Sequence, residues 1–198
     1  MESRAHPRSI GMNDCLLLTD VFNEFRHPDG EGLLASFRAR YGGLLGLVEE
    51  ARGRAIPIVY ANDNMGIWDG NASSLVDRAR MGPAGPLIAG IEPRPGDRFV
   101  VKPKYSAFHD SPLHLILDAL EIERIVLAGM ATEMCVTQTA IAARELGYKV
   151  TVVPEACATV DEELEQVALT YLERVAGVWL AAGSNSPAGL AEDRYVID

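Results

Sequence analysis

The stretch Arg124-Ile125-Val126-Leu127-Ala128-Gly129-Met130-Ala131-Thr132-Glu133-Met134-Cys135-Val136 decides the fold. Its first half is a short apolar run of the kind a buried parallel strand uses. It breaks at Gly129 and resumes at Val136 as Val-Thr-Gln-Thr-Ala-Ile-Ala-Ala-Arg-Glu-Leu-Gly, an amphipathic helix closed by Gly147. Cys135 therefore stands where a strand hands over to a helix. The unpaired N–H groups and positive dipole end of a helix stabilise a thiolate, the reactive form of cysteine, and the same groups can receive an oxyanion developing beside the sulfur. Taken alone, the segment fits a small buried thiol better.

Two other apolar runs end in a charged residue. Cys15-Leu-Leu-Leu-Thr-Asp20 ends in a carboxylate and Arg98-Phe-Val-Val-Lys102 in an ammonium. Each has a bland alternative, Asp20 as a cap for the next segment and Lys102 as a solvated strand end. In an open parallel sheet, however, the carboxyl ends of all strands share one edge, and ligands bind in the crevice along it. An acid, a cation and a thiol can converge there.

The remaining elements come in order. A helix from about Leu33 to Arg52 has leucines at helical spacing, with Gly42 and Gly43 weakening its middle, and Ala55 to Ala61 makes a second strand. Asp69 to Asp97 is a long connection with one short helix, Ala72 to Arg80, of the length that lids and interface segments have. A helix over Pro112–Leu120 with Ser111 as N-cap, a fifth strand Tyr148–Cys157, a helix Asp161–Glu173 and a last strand Gly177–Ala182 complete the chain. Six apolar runs alternating with helices predict an α/β fold: a three-layer, Rossmann-like arrangement of six parallel strands in the order 3-2-1-4-5-6 with helices on both faces. That order sets the Asp20 and Cys135 strands side by side at the switch point.

The set Leu-Leu-Leu-Thr-Asp20, Val-Val-Lys102-Pro-Lys-Tyr-Ser-Ala-Phe and Leu-Ala-Gly129-Met-Ala-Thr132-Glu-Met-Cys135-Val136-Thr-Gln-Thr139-Ala resembles the isochorismatase-like cysteine hydrolase superfamily, from about Cys15 to Trp179. The resemblance implies a Cys135, Asp20, Lys102 triad cleaving an amide or ureido C–N bond through a thioester. Lys102 would stabilise the thiolate and Asp20 would move the protons, with the backbone N–H groups of Ala131 and Cys135 as oxyanion hole. It further implies a non-proline cis peptide at Met130-Ala131 and a homo-oligomer, dimer or tetramer. Two rivals are isochorismatase-type vinyl-ether hydrolysis, for which the cysteine is dispensable, and a binding or scaffold protein with a decayed site, against which the complete triad speaks.

A substrate pocket is expected from Phe22, Asn23 and Phe25 after Asp20, from Asn62, Asn64 and Trp68 in the turn after the second strand, and from Tyr105 and Phe108. Metal-dependent nicotinamidases of this superfamily carry an Asp-x-His pair in that turn. Here Asp63 and Met65 occupy the spacing, and no histidine lies between His27 and His109, so no metal is expected. His109, just before a helix, reads as a surface residue.

Composition bounds the rest. The 198 residues, 48% apolar, suit one domain over 1–198, with residues 1–14 an extended arm. A net charge of −10 excludes nucleic-acid and anionic-membrane partners, which need a basic face, and leaves a small-molecule substrate. The N-terminus lacks the apolar core of a signal peptide, and no run approaches the roughly 18 apolar residues of a membrane helix. Three widely spaced cysteines suggest neither disulfides nor a zinc ribbon, hence a cytoplasmic setting. Without a Gly-x-Gly-x-x-Gly or Gly-x-x-x-x-Gly-Lys-Ser/Thr motif, no nucleotide cofactor is indicated.

Overall fold

A computed structural model of the chain describes residues 13–67 and 71–181. The sheet is built from β1 (Asp14–Thr19), β2 (Ile58–Asp63), β3 (Arg98–Lys102), β4 (Arg124–Met130), β5 (Lys149–Ala158) and β6 (Trp179–Leu180). All pairings are parallel, and the spatial order is β3-β2-β1-β4-β5-β6. The helices are α1 (Gly30–Gly53), α2 (Ala72–Met81), α3 (Gly85–Ile91), α4 (Leu113–Ala119), α5 (Thr137–Glu145) and α6 (Glu162–Arg174). Because parallel crossovers are right-handed, α1, which carries the chain leftward from β1, and α5, which carries it rightward from β4, cover opposite faces.

The central strands are apolar because both of their faces are covered. Leu16, Leu17 and Leu18 of β1 and Ile125, Leu127 and Ala128 of β4 are fully buried. Strand order changes direction between β1 and β4, so the chain leaving each of them opens outward and leaves a crevice at their carboxyl ends. No helix among the described residues is long and apolar enough to cross a membrane.

Several boundaries differ from the sequence-based expectation. Asp14, expected in the N-terminal arm, is buried in β1 opposite Arg124; residues 1–12 lie outside the described residues. Strand β2 starts at Ile58, after Pro57, which has no N–H to give a ladder, and runs on to Asp63 because Asn62 and Asp63 pair with Val101 and Lys102. Helix α1 starts three residues early, behind an Asp29 N-cap, and passes through Gly42 and Gly43 without a break. Helix α4 takes Pro112 as N-cap residue, while Ser111 Oγ still accepts from Leu113 N–H at 3.2 Å. Strand β6 is only two residues long.

The long connection holds a second helix, α3, which its Gly and Pro content obscures; Pro86 sits in the first turn, where a missing N–H costs nothing. Ile88 and Ile91 are fully buried. Tyr41 Oη donates to Leu87 O, Tyr60 Oη to Ile91 O, and Arg52 to Gly90 O and Glu92 O. These bonds fasten α3 to the body of the protein.

Candidate active site

Asp20 follows the last residue of β1 with a left-handed backbone (φ 54°), and its N–H donates to Ala61 O at 3.0 Å. That bend carries the carboxylate back over the sheet edge. Its Oδ1 accepts from Asp63 N–H at 2.6 Å, and its Oδ2 lies 2.8 Å from Lys102 Nζ. Lys102 ends β3, opposite Asp63, with a side chain wholly buried; Nζ also donates to Lys104 O at 2.9 Å and lies 3.4 Å from Cys135 Sγ. An ammonium with no access to water must have such partners. The acid, the cation and the thiol, more than thirty residues apart from one another in sequence, thus meet at Lys102 Nζ.

Cys135 lies in a single π-helical turn, Thr132–Val136, that precedes α5. The Ala131 carbonyl accepts from Met134 N–H and Val136 N–H, the residues flanking the cysteine, and the Met130–Ala131 peptide is cis. The turn is held from behind by two carboxylates. Glu133 accepts from Val160 N–H, Asp161 N–H and Thr159 Oγ1, and Glu165 lies 2.8 Å from Thr132 Oγ1.

Protonation reverses one expectation. A helix N-terminus and a lysine favour a standing thiolate, yet burial, then the Asp20 carboxylate, push the Cys135 thiol well above its ordinary value, and Lys102 only partly opposes them. Burial likewise pushes the Asp20 carboxyl up against the pull of Lys102, of the thiol and of Asp63 N–H. Burial pulls Lys102 down, but Asp20 and Cys135 outweigh it and keep the ammonium charged. The thiol therefore rests protonated beside a charged Lys102, and Asp20, held by that same lysine, is the base placed to take its proton.

Several of the residues expected in a pocket have structural partners of their own. Phe22 is buried against Tyr60 and Phe99, with ring centroids 5.4 and 6.0 Å away, and Asn62 spends its amide on Phe22 N–H, Phe22 O and Asp63 O. Asn23 accepts from Phe25 N–H, and Phe25 packs on Phe37 of α1. Asn64 shapes the turn after β2, accepting from Gly66 N–H. Phe108 stacks on Tyr148 at the amino end of β5, away from the crevice. These placements share a cause: a loop leaving a sheet must satisfy its own backbone and cover its own apolar edge first. Tyr105 is exposed, and Trp68 lies outside the described residues. His109 is at the surface beside Asp110.

Sequence inspection missed the Asp63 N–H and the Lys104 carbonyl, because any residue carries those groups, and it missed Thr132, Glu133 and Glu165, whose partners are remote in sequence. In the turn after β2, the Asp63 and Met65 that stand at the Asp-x-His spacing are a carboxylate whose Oδ1 accepts from Met65 N–H at 2.7 Å and a thioether, a pair that does not fit a divalent ion. Among the described residues no group of three or more His, Cys, Asp or Glu side chains is placed to hold one.

The isochorismatase domain family matches residues 14–182. An uncharacterized isochorismatase family protein, YaaI of Bacillus subtilis strain 168, is 32% identical over 160 residues, covering 81% of this chain and 88% of its own. The ureidoacrylate amidohydrolase RutB of Azorhizobium caulinodans is 26% identical over 170 residues, covering 70% of this chain and 74% of its own. The crystal structure of N-carbamoylsarcosine amidase from Thermoplasma acidophilum superposes with a TM-score of 0.63 at 27% identity, covering 89% of this chain and 99% of that one.

Proposed function

We infer that this chain, which belongs to the isochorismatase family of hydrolases, cleaves the C–N bond of a small amide, ureido or carbamoyl substrate through a thioester on Cys135. The observation that carries this inference is the meeting of Lys102 Nζ with Asp20 Oδ2 at 2.8 Å and Cys135 Sγ at 3.4 Å. The amidohydrolase and amidase among its relatives support the substrate class.

The resting protonation sets the order of events. As Sγ bonds to the substrate carbonyl carbon, the thiol proton passes to Asp20, so no buried thiolate has to stand alone. The carbonyl electron pair moves to oxygen, facing the N–H groups of Ala131 and Cys135; one such donor is worth about 2.7–4 kcal/mol in acyl transfer. Collapse of the oxyanion breaks the C–N bond, and the leaving nitrogen takes the proton from Asp20. A water then gives a proton to Asp20 and adds to the thioester; its collapse breaks the C–S bond, and Asp20 returns the proton to Cys135. Throughout, Lys102 stays charged and offsets whichever of Asp20 and Cys135 is the anion.

The test is Cys135→Ala, assayed by ammonia release across primary amides, ureido acids and carbamoyl amino acids, with mass spectrometry of the parent for a covalent acyl adduct. The variant should fold and release no ammonia, and the adduct should map to Cys135. Turnover by the variant above about a tenth of the parent's would overturn the inference, since losing a nucleophile costs orders of magnitude.

A further inference from the structure

Strand β5 carries three more residues than β4 across one step of the ladder: Leu127 pairs with Val152 and Gly129 with Cys157. The extra residues form a bulge around Pro154, which frees carbonyls that a regular ladder would use. Helix α1 lies against it so closely that a Cβ on Gly43 would overlap the Glu155 carbonyl oxygen. From this helix Arg40 donates to Pro154 O at 3.3 Å and to Cys157 O at 2.6 Å, and both its terminal nitrogens pair with the Glu165 carboxylate, Nη2 with Oε2 at 2.6 Å.

Glu165 is itself buried, its side chain 3% exposed, where a carboxylate needs its cation. Its Oε1 lies 2.8 Å from Thr132 Oγ1, which is also 3.2 Å from Ala158 O. A hydroxyl has one proton to give, and the charged acceptor is the stronger. Thr132 opens the nucleophile turn, directly after Ala131 and three residues before Cys135, and its carbonyl accepts from Thr137 Oγ1 and N–H at the turn's far end. The α1 and α6 side chains and the β5 bulge therefore act on one hydroxyl of the turn.

We propose that Glu165, clamped by Arg40, is a positioning residue for the reaction: through Thr132 Oγ1 it sets the placement of the Ala131 N–H and the Cys135 thiol relative to Asp20 and Lys102. Neither Glu165 nor Arg40 touches the reacting atoms. The carboxylate is rigid because the bulge and the guanidinium fix it on one side, so the turn has one favoured register on the other. This rests on the thioester chemistry proposed above.

The probe is p-nitrophenyl acetate, which acylates a cysteine nucleophile with a burst of p-nitrophenolate and needs no knowledge of the natural substrate. Parent, Cys135→Ala, Thr132→Val, Thr132→Ser and Glu165→Gln are compared, with folding followed by circular dichroism. The parent should give a burst that Cys135→Ala lacks. In Thr132→Val, which keeps the side chain's size and the Arg40–Glu165 pair, the maximal acylation rate should fall roughly 10- to 100-fold at an unchanged half-saturating concentration. Thr132→Ser should recover to within about twofold of the parent, and a folded Glu165→Gln should fall like Thr132→Val. A Cys135-dependent burst whose rate in Thr132→Val stays within about twofold of the parent overturns the positioning role alone. A parent without a burst, or one matched by Cys135→Ala, overturns the thioester chemistry and this role with it.

Discussion

Gly129 of β4 is held against Thr19 of β1 so tightly that a Cβ at position 129 would overlap the Thr19 carbonyl oxygen and lie 2.7 Å from its amide nitrogen. The two are ladder partners, and each stands just before its strand gives way to the site: Asp20 on one side, Met130, Ala131 and the nucleophile turn on the other. The missing side chain sets how far apart the acid and the thiol begin.

Gly129→Ala should therefore destabilise the protein severely. Backbone at φ 128° strains any L side chain, and the obstructing atoms are backbone that cannot rotate away. Strain and overpacking together predict a loss of about 3 kcal/mol in urea unfolding. A loss below about 1 kcal/mol would mean that β1 and β4 can part without penalty.

Lys102→Met keeps the stem and removes the charge, leaving Asp20 buried without its cation, at a cost of about 3–5 kcal/mol at neutral pH. The pH dependence has a definite sign. Burial already holds the Asp20 carboxyl above its ordinary 3.8, and without Lys102 it rises further. A group with a raised folded pKa contributes full stability below its unfolded value and loses that contribution as pH climbs through the folded one. The deficit relative to the parent should thus be smaller at pH 5 than at pH 8, measured by urea midpoints. Equal deficits would contradict a lysine-dependent titration of Asp20 in this range.

The same coupling shapes the pH profile of Cys135 acylation. The reactive form holds one proton between Asp20 and Cys135, so the rate should fall on the acid side as the raised Asp20 carboxyl takes a second proton, at a midpoint above 3.8. It should show no inflection at the ordinary thiol value of 9.0, because burial and Asp20 hold the Cys135 thiol higher. A profile that climbs to a plateau near 9.0 would indicate an independent thiolate.

Limiting iodoacetamide should label Cys135 alone. Cys15 and Cys157 are fully buried, whereas Cys135 is partly accessible. Peptide mapping with equal modification at all three positions would count against an accessible nucleophile.

Prolonged treatment with EDTA or phenanthroline should leave turnover unchanged, since Asp63 is engaged by Met65 N–H and no imidazole stands in that turn. Activity lost to the chelator and restored by zinc would contradict this reading of the β2 turn.

The sequence by itself determined the sheet order and the three charged or nucleophilic strand ends, because both arise from local patterns. Apolar runs such as Leu16 to Leu18 and Ile125 to Ala128 specify buried parallel strands, and right-handed connections leave few ways to arrange them. A residue at the carboxyl end of such a strand is then at the crevice whatever surrounds it. Only the tertiary structure decided the chemical state of those residues and the company they keep. The sign of the Cys135 shift depends on how deeply the thiol is buried and on the reach of Asp20, neither of which is a property of neighbours in sequence. The packing of Phe22 and the bonding of Asn62 were likewise decided there, by apolar and backbone partners across the sheet. The link from Arg40 through Glu165 to Thr132 spans three elements and a three-residue bulge in β5, and a bulge forms only when two strands with different residue counts are laid side by side.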